Sequence, residues 1–438
     1  MSQWKKVRIG DFLTERAGRY KPDDPTIAQY QRLDKIDFSG TIHISTKPTK
    51  TDMILVQPGD LVISGINVAK GAVSVYQGNE PVCATIHYSA YTFNEKIVDL
   101  DFFKFFVKSP AFLYALKRQV KGGIKTEIKP KHLLTLEISI PELSEQKRIV
   151  AMVSNRLKKT EDLQKEIDSQ KEYVKLLRQN ILQDAIEGKL TSDWRKSNPV
   201  IKGNPDYDAE ALFEKIQKEK SSYKKQKELS SIIDEETPFE IPEGWKWINL
   251  GMICKKLTDG SHNPPPNTGK GYPVISAMNI KNGHISFDNV IRYTDEQGFQ
   301  KEDKRTKISR GDIILGIIGA SIGNTAIYDS SKKVIAQRSI AIIDSFIGNT
   351  FVSFLLNSTY VQKYLKQNSF GSAQGGIYLG KISKIPIPLP LLKEQEEIVN
   401  TVESLLANVT ELETQIQERE TYTKCLMQSI LKDAFEEK

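Results

Sequence analysis

Two stretches of the chain carry apolar residues at every seventh position. In the first, Val153, Thr160, Ile167, Val174 and Ile181 form one stripe, with Ile149, Leu163 and Leu177 on the neighbouring one. In the second, Val402, Val409, Ile416, Thr423 and Ile430 run beside Ile398, Leu405, Leu412 and Leu426. Each stretch follows a Pro-containing strand (LEISIPEL, IPIPLPLL) and then holds no Pro or Gly until Gly188 or the chain end. Each therefore predicts one long helix. β-branched residues on one seam and mainly Leu on the other suit a two-stranded coiled coil, and equal helices with equal seams pair most simply with each other, antiparallel. About 45 helical residues at ~1.5 Å each make a rod on the order of 65 Å.

The two stretches are copies of one another. Residues 138–189 align without a gap onto 387–438, with identities that include Pro141/Pro390, Glu145/Glu394, Gln146/Gln395, Ile149/Ile398, Tyr173/Tyr422, Asp184/Asp433 and Ala185/Ala434. Upstream, Trp4-Lys5 and Gly10 correspond to Trp245-Lys246 and Gly251, and GDLVISGINVAKGAVSVY from Gly59 runs in step with GDIILGIIGASIGNTAIY from Gly311. The order is globular domain, helix, globular domain, helix, a fused duplication for which a pseudo-two-fold arrangement is expected. Within the globular parts, short strands such as DLVIS, AVSVY, DIILGIIG and TAIY alternate with Gly-rich turns. One helix is expected in each, near Phe102 to Val120 and near Thr350 to Gln367.

The expected fold class is α+β: two mixed α/β domains, 1–143 and 242–391, separated by two long helices, 144–190 and 392–438, that form an antiparallel coiled coil. Residues 191–241 read as a linker with a charged helix, AEALFEKIQKEKSSYKKQKEL, whose Leu212, Phe213 and Ile216, with Tyr207, are expected to dock on the coil.

Charge is unevenly spread along this plan. Residues 1–143 carry 20 Lys+Arg against 15 Asp+Glu and residues 242–391 carry 18 against 10, while the helices and linker carry 24 against 30. Two basic modules on a mildly acidic scaffold fit two polyanion-binding surfaces. No run of about 18 apolar residues suggests a membrane span, and MSQWKKVRIGDF lacks the apolar stretch of a secretory signal. Cys83, Cys254 and Cys425 lie far apart, which suggests neither a disulfide framework nor a thiolate metal site. A cytoplasmic protein is expected.

Catalytic motifs are approached but not completed. His262-Asn263-Pro264-Pro265-Pro266 contains the NPP of an amino-methyltransferase motif, yet Pro266 stands where an aromatic ring should stack on a flipped base. Gly375 to Ile382 has phosphate-loop spacing, but Ile382 replaces the Ser or Thr that holds Mg²⁺. The GASIGN turn from Gly319 lacks dinucleotide-loop spacing, and the five histidines show no ligand pattern such as HExxH. No catalytic or metal-ligating residue is assigned.

Contacts to DNA have better candidates. Between Ser345 and Lys393 there is no acidic residue, and within this stretch Lys366, Lys381 and Lys384 flank a small polar loop holding Ser372, Gln374, Gly375 and Tyr378. Backbone amides in such a loop can approach phosphates, and Gln and Ser can reach base edges. The matching segment of the first domain holds Lys121, Gly122, Gly123, Lys125 and Lys129. Further candidates are Arg16, Arg19, Tyr20 and Lys21 near the start of the first domain and His262 and Asn263 near that of the second. Lys70, Ser321 and Asn324 lie in the paired Gly turns.

The duplicated motif PxxxEQxxI, seen as Pro141, Glu145, Gln146, Ile149 and as Pro390, Glu394, Gln395, Ile398, together with PFEIPEGWKWINLG from Pro238, resembles the specificity subunits of type I restriction-modification systems over the whole chain. The resemblance implies two target-recognition domains spaced by two helices, each domain reading one half of an asymmetric bipartite site in double-stranded DNA. It implies that the helices bind two modification subunits, which carry S-adenosylmethionine and methylate adenine N6. Two restriction subunits, using ATP and Mg²⁺, would complete the assembly, and this chain would bind no cofactor of its own. One departure is that Glu437 stands where the first repeat has Gly188. The alternatives are a stand-alone methyltransferase or nuclease, which the missing motifs disfavour, and an architectural DNA-binding protein, which co-purification with a methyltransferase subunit would exclude.

Overall fold

The computed structural model describes residues 4–45, 47, 49–67, 72–119, 130–222, 237–371 and 375–435. The chain divides into two units, Met1–Ser169 with Ile416–Lys438, and Gln170–Gln415. Each unit thus holds one globular domain and a part of each long helix.

The first domain runs β1 (Lys5–Arg8), β2 (Leu13–Glu15), β3 (Arg32–Ile36), β4 (Ile42–Ser45), β5 (Met53–Val56), β6 (Leu61–Ser64), β7 (Val73–Val75), β8 (Val82–Thr85) and β9 (Tyr88–Phe93). Helices α1 (Leu100–Phe106), α2 (Pro110–Gln119) and α3 (Pro130–Leu133), strand β10 (Glu137–Ile140) and the long helix α4 (Leu143–Ile186) follow. The linker supplies α5 (Ser192–Ser197) and α6 (Ala209–Ser221). The second domain runs β11 (Lys246–Asn249), β12 (Cys254–Asp259), β13 (Tyr272–Ile275), β14 (Ile280–Lys281), β15 (His284–Ile285), β16 (Tyr293–Thr294), α7 (Glu296–Thr306), β17 (Ile313–Gly316), β18 (Thr325–Ile327), β19 (Ile335–Ala336) and β20 (Ile340–Ser345). It closes with α8 (Asn349–Asn357), α9 (Thr359–Gln367), α10 (Leu379–Ile382), β21 (Pro386–Leu389) and the second long helix α11 (Leu392–Phe435).

The duplication read in the sequence is a duplication of topology. An antiparallel sheet ordered β2-β9-β6-β7 in the first domain recurs as β12-β20-β17-β18 in the second, and the aligned Gly-rich segments form the hairpins β6–β7 and β17–β18. A second sheet in each domain carries one parallel pair, β3 with β8 and β13 with β19. The entry strand pairs antiparallel with the strand before the long helix, Lys5 opposite Ile140 and Lys246 opposite Leu389, so each domain is closed before its helix begins. A turn is fixed at the same place in both by a buried aspartate: Asp60 accepts from Gln57 N and Arg16, Asp312 from Ser309 N and Lys256.

Three expectations are corrected. The single helix expected in each domain is two, α1–α2 and α8–α9, broken at Ser109 and Ser358, which occupy the same position in the repeat. Each buried hydroxyl donates to a carbonyl of the preceding helix (Phe106 O, 2.6 Å; Leu355 O, 2.7 Å) and accepts from an amide in the first turn of the next (Phe112 N, Val361 N). This is how a serine caps one helix while ending another. Helix α6 docks on the start of the second domain rather than on the coil. Lys246 bonds Glu210 and lies over the Phe213 ring, Gln217 donates to Met252 O, and Ala209, Leu212 and Ile216 are buried.

The third concerns the seams. The β-branched stripe is buried throughout, from Val153 to Ile181 and from Val402 to Ile430. Thr160 and Thr423 return their hydroxyls to their own helix backbone, leaving the methyl groups for packing. The antiparallel direction appears in each unit. In the second, Arg178 reaches Glu413 at 3.1 Å and Thr410 at 3.4 Å; in the first, Ile430, Ala434 and Phe435 join Ile149 and Val153 in one core. Phe435 meets Phe102 and Phe106 edge-on at 5.2 and 5.6 Å. The neighbouring stripe is closed only at its start, at Ile149 and Ile398; beyond them Leu163, Leu177, Leu412 and Leu426 remain 41–49% exposed. The helices meet along one stripe and leave the other at the rim.

Candidate nucleic-acid interface

In the second domain, backbone hydrogen bonds gather segments that are far apart in sequence. Ser261 N donates to Ala336 O (2.7 Å) and Arg338 N to Ser261 O (2.9 Å), which sets His262 and Asn263 beside the β19–β20 turn. Ile317 N donates to Ser339 O and Ile377 N to Ile317 O, so the same turn adjoins the loop from Phe370 to Tyr378. Gly319 N donates to Gly375 O at 2.7 Å, adding the turn that carries Ser321 and Asn324. The segments carrying His262, Asn263, Ser321, Asn324, Gly375 and Tyr378 therefore adjoin one another.

On the face they form, Lys366, Lys381, Asn263 and Asn324 are exposed, while Lys384, also exposed, lies between Ser383 and Ile385, whose carbonyls accept from Gly251 N and Leu250 N at the start of the domain; none of the three lysines forms an ion pair among the described residues. Phe370 and Tyr378 stack with centroids 4.2 Å apart at 11° and are 47% and 65% exposed. An exposed aromatic pair beside unpaired ammonium groups suits a nucleic-acid surface. The chain bends at His262 and Asn263, and the three prolines that follow form no turn; Pro265 is buried and its carbonyl accepts from Arg292 Nη2 at 3.1 Å. His262 Nε2 lies 2.6 Å from Asp259 Oδ2, and Arg305 Nη1 lies 2.9 Å from Asp259 Oδ1. Burial works to raise the Asp259 carboxyl, but these two bonds outweigh it and hold the group below its ordinary value.

In the first domain, the corresponding position is a groove of about 510 Å³ lined by Arg16, Gly18, Arg19, Gly65, Ile86, His87 and other residues. Arg19 is exposed on its rim. Arg16 is committed elsewhere, in a two-point bond to Asp60 at 2.7 Å for both contacts that raises its guanidinium above its ordinary value against the effect of burial. Tyr20 pairs with Met53 through both backbone groups and packs on Ile27 and Cys83, and Lys21 meets Asp52 at 3.0 Å. Lys70, Lys121, Gly122, Gly123, Lys125, Lys129, Ser372 and Gln374 lie outside the described residues.

Two features of the face escaped the sequence reading, the exposed ring of Phe370 and the Gln337-Arg338 turn. The second was available as a continuation of the repeat, since VCATIHYS from Val82 and VIAQRSIA from Val334 align. Their apolar positions agree and their turn residues do not.

A mixed-sheet domain that occurs twice, each copy followed by a long helix and the second bearing a loop face with exposed lysines, defines a duplicated recognition scaffold. The family of the type I restriction modification DNA specificity domain matches residues 1–172 and 242–419, and the chain belongs to that family: it is a specificity subunit of a type I restriction-modification system. Among similar proteins, the EcoKI specificity subunit of Escherichia coli K12 is 24% identical over 98% of this chain and 86% of its own. The MjaVIII specificity subunit of Methanocaldococcus jannaschii is 23% identical over 92% and 86%. In fold, the chain is similar to a solved chain from work on complex assembly and conformational transition of the type I R-M system, with a TM-score of 0.61 at 17% identity over 99% of this chain and 97% of that one. Proteins of this class recognise DNA and are not enzymes; methyl transfer and cleavage belong to their partner subunits. No described helix is long and apolar enough to cross a membrane.

Proposed function

We propose that each domain of this chain reads one half of an asymmetric bipartite site in double-stranded DNA, and that the helices dock two copies of a modification subunit. The observation that carries this reading is a contrast between the repeats. On the helices, exposed apolar residues recur at matched positions, Leu163 with Leu412, Leu177 with Leu426 and Tyr173 with Tyr422. Exposed apolar groups in register on a surface are what a partner covers, and two matching sets call for the same partner twice. On the loop faces the side chains differ, which suits two different half-sites.

In this reading the chain supplies the address and binds no cofactor. The modification subunits bring S-adenosylmethionine, and two restriction subunits bring ATP- and Mg²⁺-dependent chemistry, in the cytoplasm where the DNA lies. Exchanging residues 1–143 for the equivalent domain of another specificity subunit tests it. Sequencing of modified bases should show one half-site changed and the other kept, with two modification subunits per chain by mass. Changes in both halves, or failure to co-purify with a modification subunit, would refute the reading and leave the architectural alternative.

A further inference from the structure

We propose that Arg338 is a specificity-determining residue of the second domain, reading the edge of a guanine in its half-site; this rests on the reading of the chain as a bipartite DNA reader. The residue stands on the turn between β19 and β20, two strands whose residues Ile335, Ala336 and Ile340 to Ile343 are wholly buried. The turn is held from every side. Gln337 N donates to Ile275 O (2.8 Å), Arg338 N to Ser261 O (2.9 Å) and Ile340 N to Gln337 O (3.0 Å). Ser339 O accepts from Ile317 N and Ser339 Oγ from Ala277 N (3.1 Å). Gly260 is required for this packing, because a Cβ there would lie 2.0 Å from Gln337 O and 2.4 Å from Ala336 O.

From that rigid base the Arg338 side chain is exposed and forms no ion pair among the described residues. The nearby carboxylate of Asp259 is already taken by His262 and Arg305. A guanidinium without a carboxylate, carried on a fixed turn whose backbone bonds adjoin the segments of Asn263 and of Phe370 to Tyr378, is pre-organised for a planar ligand with two acceptors. In duplex DNA that ligand is guanine, whose O6 and N7 match the fork in the major groove. The first domain supports the assignment by difference. Its turn shares one bond of the frame, Gly65 N donating to His87 O (2.8 Å) as Ile317 N does to Ser339 O, while Ile86 stands at the position of Arg338 and gives its amide to Asp52 O rather than to a counterpart of Ser261. An equivalent turn position whose side chain differs between the copies is what a base-reading position requires of a duplicated reader.

The test uses the chain assembled with its modification subunits, a library of randomised DNA duplexes and S-adenosylmethionine, with methylated sequences read out for wild type, R338A and R338K. The wild-type complex should require a guanine in one half-site. R338A and R338K should both lower that preference by about 10-fold or more, because Lys keeps the charge and loses the fork. The other half-site should stay as it was. A duplex carrying 7-deazaguanine at that position should weaken binding of wild type but not of R338A. Unchanged preference in both variants would overturn the assignment. So would an equal loss on every sequence with a salt slope shallower by about 0.9, the mark of an ammonium or guanidinium set on a phosphate. A wild-type complex that methylates no bipartite site would instead sink the function proposed above, before Arg338 is tested.

Discussion

Replacing Arg195 by alanine should remove the cation that neutralises a carboxylate sealed inside the second unit. The Glu394 side chain is wholly buried and accepts from Trp245 Nε1 and Thr191 Oγ1, each at 2.7 Å, and from Arg195 Nη1. Arg195 also donates to Gly188 O at 2.6 Å, tying the end of α4 to the start of α11. Breaking a buried pair from one side costs about 3–5 kcal/mol, because the remaining charge has no compensation. For a unit of this size that corresponds to a loss of roughly 6–20 °C in Tm. E394Q should cost less, about 1–3 kcal/mol, since its neutral amide needs no counter-charge and the partly exposed Arg195 can turn to water. R195A added to E394Q should then cost little more than E394Q alone, so the single losses fail to add by ~2–3 kcal/mol. Tryptophan fluorescence during urea unfolding reads this directly, because Trp194, Trp245 and Trp247 lie in the second unit and only Trp4 in the first. A loss below ~1 kcal/mol for R195A, or strict additivity, would refute the argument that a buried charge is what Arg195 balances.

Neutralising Lys366, Lys381 and Lys384 should weaken DNA binding alike for all sequences and flatten its log-log salt dependence by about 0.9 for each phosphate left without its ammonium partner; an unchanged slope would turn this loop away from the DNA backbone. Four residues inserted in α4 beside Lys165, ~6 Å of helix, should lengthen the unread spacer of the methylated site by one or two base pairs, and an active complex with an unaltered spacer would show that the helices do not set the distance. A bulky maleimide at neutral pH should label Cys425 alone, since Cys83 and Cys254 are buried and burial pushes the Cys254 thiol up to about 12. Cys425 sits beside the exposed Leu426 and Tyr422, so the labelled chain should bind one modification subunit by mass; two would refute docking there.

What the sequence determined by itself was local and periodic. β-branched residues every seventh position face one side of a helix whatever surrounds it, and that stripe is the buried one in both long helices. The matched Gly-rich segments form matched hairpins because turn chemistry is written in a few adjacent residues. Periodicity names a face without naming what covers it, and there tertiary structure decided. Leu163 and Leu412 occupy a seam by spacing, yet the helices approach along the other stripe and leave them at the rim. Glu145 and Glu394 are the same residue of one duplicated motif. Glu145 pairs with Arg148 one turn away and keeps 22% of its side chain exposed, whereas Glu394 is sealed by Thr191, Arg195 and Trp245, which arrive from distant parts of the chain. Arg16 reads as a free cation in sequence and is held by Asp60 in the fold, while Arg338 reads as one basic residue in an apolar stretch and emerges on the loop face. A side chain's charge and size are set by its own codon. Whether it is spent on a neighbour or left for a ligand depends on which strands the fold brings beside it.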